Sequence, residues 1–129
     1  MFQKLELMQM SQAMARHAAQ RQTLVARNVA NADTPGFRAR DLVDFAETYR
    51  VSGPSTALLT TRAAHLVPAE RQGGFDSIDS GAEASPSGNT VSLEDQMIKS
   101  VELRQQHDMA MAIFAKARDI LRASIGRGN

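Results

Sequence analysis

The sequence of 129 residues contains no cysteine and no tryptophan. Without cysteine there is no disulfide framework, no thiol nucleophile and no cysteine-containing zinc site. That absence leaves the compartment open. Aromatic residues make up only 5% of the chain, five Phe and one Tyr. A core of Ala and the seven Met in stacked helices fits this composition better than a β-sandwich built on large rings. Charge of one sign is also lacking. Fifteen basic residues against fourteen acidic ones leave a net +1, and the mild positive excess of the first thirty residues is too dilute for a nucleic-acid surface. No apolar run approaches the roughly twenty residues that a membrane helix needs. The opening stretch has neither the continuous apolar region nor the small-residue cleavage site of a secretory signal. A chain of this kind that leaves the cytoplasm is expected to use a route without a cleaved peptide.

Neither Gly nor Pro interrupts the chain from Phe2 to Ala30, where Ala, Leu, Met, Gln and Arg dominate. These residues lose little side-chain freedom in a helix. The pattern predicts one helix over 2–30, with Phe2, Leu5, Met8, Ala15, Ala19, Ala26 and Val29 as a stripe flanked by Leu24 and Val25. Asn31-Ala-Asp33-Thr34-Pro35-Gly36 stops it: Pro35 cannot continue a helix, and Gly36 admits a left-handed backbone. The following residues, Phe37 to Phe45, read as extended, with a short helix over about Leu42–Tyr49.

Residues 51–90 differ in composition, with six Gly or Pro positions between Gly53 and Gly81 and few apolar anchors: Leu58, Leu59, Leu66, Val67, Phe75 and Ile78. Such a span makes a poor independent core. Helical character returns at Ser92-Leu93-Glu94-Asp95, where Ser92 is an N-cap and the acids favour the positive helix end. A second long helix is expected over 92–125, its stripe drawn from Met97, Val101, Ala110, Phe114, Ala117 and Leu121, joined by Ile98, Ile113 and Ile125. The fold class expected is mostly α: long N- and C-terminal helices packed as a coiled coil or helical hairpin, around a Gly/Pro-rich irregular centre that admits short β elements. The chain reads as a single domain over 1–129, comprising helix 2–30, motif and turn 31–50, flexible centre 51–90 and helix 92–125. Two long helices with thin stripes have little core of their own, so neighbouring copies are expected to cover them.

Candidate chemistry is sparse. His17, His65 and His107 have no second ligand on a metal template, and read as solvated or locally hydrogen-bonded imidazoles. Asp41 with Asp44, and Glu94 with Asp95, read as turn, cap and surface acids rather than an acid–base pair across a cleft. Ser11, Ser77, Ser87 and Ser124 lack a nucleophile-elbow context, and Gly73-Gly74 lacks the lysine of a phosphate loop. Arg16, Arg21 and Arg27 wind around the first helix as solvated charge or as salt-bridge donors to other subunits. No catalytic, cofactor or metal residue is assigned. One stretch is harder to dismiss: Asn28 and Asn31 lie about one turn apart before a stiff turn, at a cost in helix propensity. Their amides are expected to bond the chain where it reverses or meets a neighbour.

Asn28-Val29-Ala30-Asn31-Ala32-Asp33-Thr34-Pro35-Gly36-Phe37 resembles the signature of the bacterial flagellar axial proteins. With Arg38-Ala-Arg40-Asp41-Leu42 and Phe45, then Thr61 and His65, and Gly88-Asn89-Thr90-Val91-Ser92-Leu93-Glu94, the chain is similar to the proximal rod members of that family. The resemblance implies a non-enzymatic building block of the basal-body rod in the periplasm, without cofactor, nucleic acid or small-molecule substrate. It implies export by the flagellar type III apparatus and a part in motility and torque transmission. Partners implied are copies of the chain, other proximal and distal rod proteins, the ring-base adaptor and the export gate. The assembly residues expected on these grounds are Leu5, Asn28, Val29, Asn31, Asp33, Thr34, Pro35, Gly36, Phe37, Gly88, Asn89, Val91, Leu93, Met97, Val101, Phe114 and Leu121. The alternatives are another flagellar axial component or a free-standing helical protein-binding module.

Overall fold

The computed structural model describes residues 2–52 and 75–126. The expected anchors Leu58, Leu59, Leu66 and Val67, the motif residues Thr61 and His65, and Gly73-Gly74 lie outside the described residues. The elements are α1 (Phe2–Ala30), β1 (Arg40–Leu42), α2 (Phe45–Ser52), β2 (Ser77–Asp79) and α3 (Leu93–Gly126). At about 1.5 Å per residue α1 is roughly 43 Å long and α3 roughly 51 Å. Both run at the expected bounds to within a residue.

The two long helices pack antiparallel. Lys4 Nζ reaches Ser124 Oγ at 2.9 Å, Gln22 Nε2 reaches Ser100 Oγ at 2.9 Å, and Asn28 Nδ2 reaches Gln96 Oε1 at 3.1 Å. As the number rises on one helix it falls on the other. The buried positions of α3 are Gln96, Leu103, Ala110 and Ala117, each seven residues from the next. On α1 the buried residues include Ser11, Met14, Ala18, Val25 and Asn28, at the alternating three-and-four spacing of a heptad once half-buried Arg21 is included. This is a coiled-coil seam, in which a seven-residue repeat keeps one face of each helix on its partner. Small side chains bring the axes together: Ala18 and Val25 pack on Leu103, while Met14 and Ala110 pack on Phe45.

The seam differs from the expected apolar stripe. Ala110 and Ala117 are buried, and Ile113, Phe114 and Leu121 are half-buried, but Met97, Ile98, Val101 and Ile125 face out. On α1, Leu5, Ala19, Ala26 and Val29 are exposed as well. Period and size point to different residues here. The close approach of two helices selects Ser, Ala and Gln at much of the contact, with Met14, Val25 and Leu103 among the larger side chains it takes in, and leaves Met97, Ile98 and Val101 outside.

Between the helices sits a small head. β1 and β2 pair antiparallel, with Arg40 opposite Asp79, Asp41 opposite Ile78 and Leu42 opposite Ser77. A two-stranded pair is marginal by itself, and this one lies on α1. The short helix starts three residues later than its expected position, because β1 takes residues 40–42 and the Asp44 carbonyl accepts the first α2 hydrogen bond, from Thr48 N–H at 3.0 Å. Within the span expected to be flexible, residues 75–90 form β2 and a tight turn held by the rest of the chain. Ser92 caps α3 as expected: Asp95 N–H donates to its Oγ at 3.4 Å and Gln96 N–H to its carbonyl at 3.0 Å.

The seam sets an expectation for stability. Leu103 is 2% exposed and central, so Leu103→Ala costs about 2–5 kcal/mol by losing burial and leaving a cavity. Met97→Ala, at a residue 69% exposed, changes the thermal midpoint of the isolated chain little. Thermal unfolding followed by circular dichroism compares the two.

Candidate functional site

A helix C-terminus leaves carbonyls without intrahelical donors. At the end of α1 they are met locally, the Arg27 and Asn28 carbonyls by the Asn31 N–H and the Val29 carbonyl by the Ala32 N–H, and it is the turn after α1 that is bonded from far along the chain. The buried Asn89 side chain directs its Nδ2 to three backbone carbonyls: Asn31 at 2.9 Å, Ala32 at 3.0 Å and Thr34 at 2.8 Å. Its Oδ1 accepts the Val91 N–H at 2.7 Å. An amide carries two N–H donors and an accepting oxygen, so with one hydrogen shared this side chain holds the turn after α1 and starts the approach to α3. Neighbouring backbone runs alongside: Gly36 N–H donates to the Ser87 carbonyl and Thr90 N–H to the Phe37 carbonyl, both at 3.0 Å. The Ala39 N–H donates to Thr90 Oγ1 at 2.7 Å.

Asn28, one turn before the end of α1, makes a second staple. Its Nδ2 donates to the Arg40 carbonyl at 2.9 Å and its Oδ1 accepts the Arg40 N–H at 3.1 Å, while Nδ2 also meets Gln96 Oε1. This amide joins α1, β1 and α3. Asn31 acts locally, donating to the Arg27 carbonyl at 2.8 Å and accepting from Thr34 Oγ1 at 3.2 Å. The expected role of the two asparagines at the chain reversal is therefore what the structure displays, and the two sequence motifs are halves of one junction.

Two glycines permit the crossing. Gly36 and Gly88 have φ of 75° and 85°, a region where a Cβ is strained. A Cβ on Gly88 would also stand 3.4 Å from the Gly36 Cα, whereas one on Gly36 would meet nothing within 4 Å.

An ion triad braces the head against both helices. Arg21 on α1 binds Asp41 on β1 with two hydrogen bonds, 2.7 and 2.9 Å, and Lys99 on α3 stands 3.2 Å from the same carboxylate. The reading of Arg21 as solvated charge or a donor to other subunits is corrected by this internal, half-buried pair. Burial pushes the Asp41 carboxyl upward. Hydrogen bonds from Arg21 and the Leu42 amide and the nearby positive charges outweigh it and hold the group below its ordinary value. On the opposite edge of the head, Arg38 pairs with Asp79 in full solvent, which contributes little.

The expected assembly residues divide accordingly. Asn28, Asn31, Thr34, Gly36, Phe37, Gly88, Asn89 and Val91 meet at the junction, with Asp33 and Pro35 on its exposed rim. Leu5, Val29, Leu93, Met97 and Val101 are exposed on the helices, and Phe114 and Leu121 are half-buried towards the open end of the hairpin. Phe114 lines a groove of about 270 Å³ with Ser11, Ala15 and Met111. Gln96, Thr90, Arg21, Asp41 and Lys99 were not among the expected assembly residues, although Thr90 and Asp41 lie in the motif segments and Gln96 has its place in the heptad series. His107 is exposed beside a second groove with Arg104 and Asp108. Among the described residues no three His, Asp or Glu side chains cluster to hold a metal ion, and no helix is long and apolar enough to cross a membrane.

Three consequences are measurable. Asn89→Leu removes a side-chain donor from three carbonyls, of which those of Asn31 and Thr34 keep a backbone N–H, and lowers stability by about 2 kcal/mol in denaturant unfolding. Gly88→Ala is more destabilising than Gly36→Ala in the same measurement, because it adds crowding to backbone strain. Since the Asp41 value is lowered on folding, its contribution is complete above the ordinary value of 3.8 and is lost as pH falls through the folded one. Unfolding free energy measured from about pH 5 to about pH 2 should show that loss, and Asp41→Asn should remove it.

Residues 10–38, which contain most of α1 and the first half of the junction, match the family model described as flagella basal body rod protein. The chain is 31% identical to the flagellar basal body rod protein FlgB of Salmonella typhimurium, over 74% of this chain and 75% of that protein. It is 38% identical to FlgB of Cereibacter sphaeroides, over 70% and 73% of the two chains. Its match to FlgB of Agrobacterium fabrum is 25% identical and spans 97% of this chain and 96% of that one. With the signature segment folded into the junction and relatives of this extent on both sides of it, the chain belongs to the flagellar basal body rod protein family.

Proposed function

We propose that this protein is a structural subunit of the proximal rod of the flagellar basal body, folding as a single domain over residues 1–129 and polymerising through its two long helices. The observation that carries the reading is the row of large aliphatic residues left outside the seam. Leu93, Met97 and Val101 follow one another at i, i+4 and i+8 on α3, with Ile98 beside them, and Val29 and Leu5 are exposed on α1. A soluble monomer rarely leaves such a row uncovered, and a helix whose inner face holds Leu103 but is otherwise spent on Ala and Gln needs its outer face for further helices. The near-neutral net charge lets like subunits crowd without strong repulsion.

On this reading the junction serves assembly indirectly. The amide staples hold α1 and α3 at a fixed offset, so that the outer rows present one surface to copies of the chain and to other proximal and distal rod proteins. The ring-base adaptor and the export gate of the type III apparatus are the remaining partners, with export proceeding without a cleaved signal peptide. The protein passes torque along the rod and is structural, not enzymatic.

An epitope placed between Gly73 and Gly74, in a strain that still swims, tests the assignment. The tagged chain is expected in purified basal bodies, and to be lost from them when the export gate is deleted. A functional tagged chain that stays wholly cytoplasmic would favour the free-standing helical module. Val29→Asp and Val101→Asp, at residues 43% and 60% exposed, are expected to leave the isolated chain folded, because the carboxylates face solvent. Both are expected to abolish swimming by placing a charge against a neighbouring helix, as read on soft agar beside circular dichroism of the purified variants.

A further inference from the structure

His17 is an anomaly that the rod assignment does not absorb. It sits on α1 with no solvent exposure. Its Nε2 lies 2.7 Å from the Val43 carbonyl oxygen, and because a carbonyl can only accept, that nitrogen carries the proton. The other nitrogen, Nδ1, is buried with no hydrogen-bond partner among the described residues. The ring is wedged between Phe45, at 5.5 Å and 61°, and Phe75, at 4.8 Å and 79°, both edge-on arrangements. One turn along, the Gln20 side chain pairs with both polar atoms of the Phe75 backbone: Nε2 donates to its carbonyl at 2.6 Å, and Oε1 accepts its N–H at 2.9 Å. Two α1 side chains thus hold the chain at Phe75, and one of them also holds it at Val43 and Phe45.

We propose that His17 is a proton-operated latch: neutral, it docks the Val43–Phe45 and Phe75 ends of the head onto α1, and protonated, it lets them come away while the coiled-coil seam stays closed. The chemistry is direct. A proton can enter only at Nδ1, where it creates a buried N–H without an acceptor and a cation in an apolar slot. The charged surroundings do not offset this. On α1, Arg21 repels the cation. Asp41 in β1 and Asp44 at the head of α2 attract it, but Asp41 is already occupied by Arg21 and Lys99. The Phe75 side brings Asp76, which is exposed, and α3 brings Leu103 and Ala110 at this level, with His107 and Asp108 exposed beyond the seam. Burial accordingly pushes His17 below its ordinary value of 6.5, with Arg21 adding to that, against the opposing effects of the Val43 hydrogen bond and the two acids. A base whose value falls on folding binds more protons when unfolded or released. The docked state is therefore at full strength above pH 6.5 and weakens as pH drops through the folded value. This window is separate from that of Asp41, which lies in the carboxylate range. The latch concerns the chain's own fold and stands independently of its place in a rod.

Nuclear magnetic resonance of the full chain reads it. The His17 ring should titrate below 6.5. After correction for intrinsic rates, protection from exchange at the Phe75 N–H, and at the Ser80 N–H bonded to the Ala39 carbonyl, should fall about tenfold per unit of that displacement as pH is lowered past it. Protection around Leu103 should stay unchanged. His17→Gln keeps an amide that can donate to the Val43 carbonyl and does not titrate, so the pH dependence should vanish there, whereas His107→Gln should retain it. The same loss of protection in His17→Gln, its absence in the wild type, or a His17 ring titrating at or above 6.5 would each overturn the latch. Should His17→Gln not fold, the wild-type ring titration decides alone.

Discussion

The turn after α1 must be held to the approach to α3 where the chain folds back, and the rest of the structure depends on how that demand is met. A single side-chain amide, Asn89, comes from near the start of α3 and satisfies three carbonyls of the turn. Once it is seated, α3 begins at a fixed place relative to the end of α1. Asn28 and Gln96 then meet across the seam, and the heptad positions below them fall into line.

This polar anchoring matters because the seam is thin. Ser11, Ala18, Ala110 and Ala117 bury little apolar area each, and a row of small residues repeating every seven positions fits its partner nearly as well one heptad away. A buried polar contact at a single level penalises the displaced arrangement, since an unmatched amide would be left in the interior. The triad of Arg21, Asp41 and Lys99 adds a second level by tying the strand pair to both helices. Specificity of register thus resides in amides and charges, and most of the large aliphatic residues of α3, Leu103 apart, stay at the surface.

Much of this was legible in the sequence. The limits of α1 followed from Pro35 and Gly36, and the start of α3 from Ser92 and its acids. Asn28 and Asn31 were conspicuous because they cost helix propensity without a local return. The seam was read only in part: Ala110 and Ala117 were expected and carry the contact, but Met97 and Val101 were taken with them, while Gln96 and Leu103 of the same seven-residue series were passed over. Short β elements were expected, but which segments pair and the Arg21–Asp41 bridge could not be read, because each depends on residues brought together by the junction and neither leaves a periodic trace. His17 looked like an ordinary imidazole for the same reason: Phe45 and Phe75, which enclose it, are distant in the sequence.

Register is the quantity on which the account rests, and the lack of native cysteine makes it directly measurable. Spin labels on Gln22→Cys and Ser100→Cys, a pair in hydrogen-bond contact on the exposed side of the seam, would report the offset of α1 against α3 by pulsed electron resonance. The junction predicts one narrow distance in the otherwise unaltered chain. In the presence of Asn28→Leu and Asn89→Leu it predicts further populations displaced along the axis by about 10 Å, one heptad of helix. A single unchanged distance with both amides removed would show that the apolar seam sets the register without them, and would contradict the account.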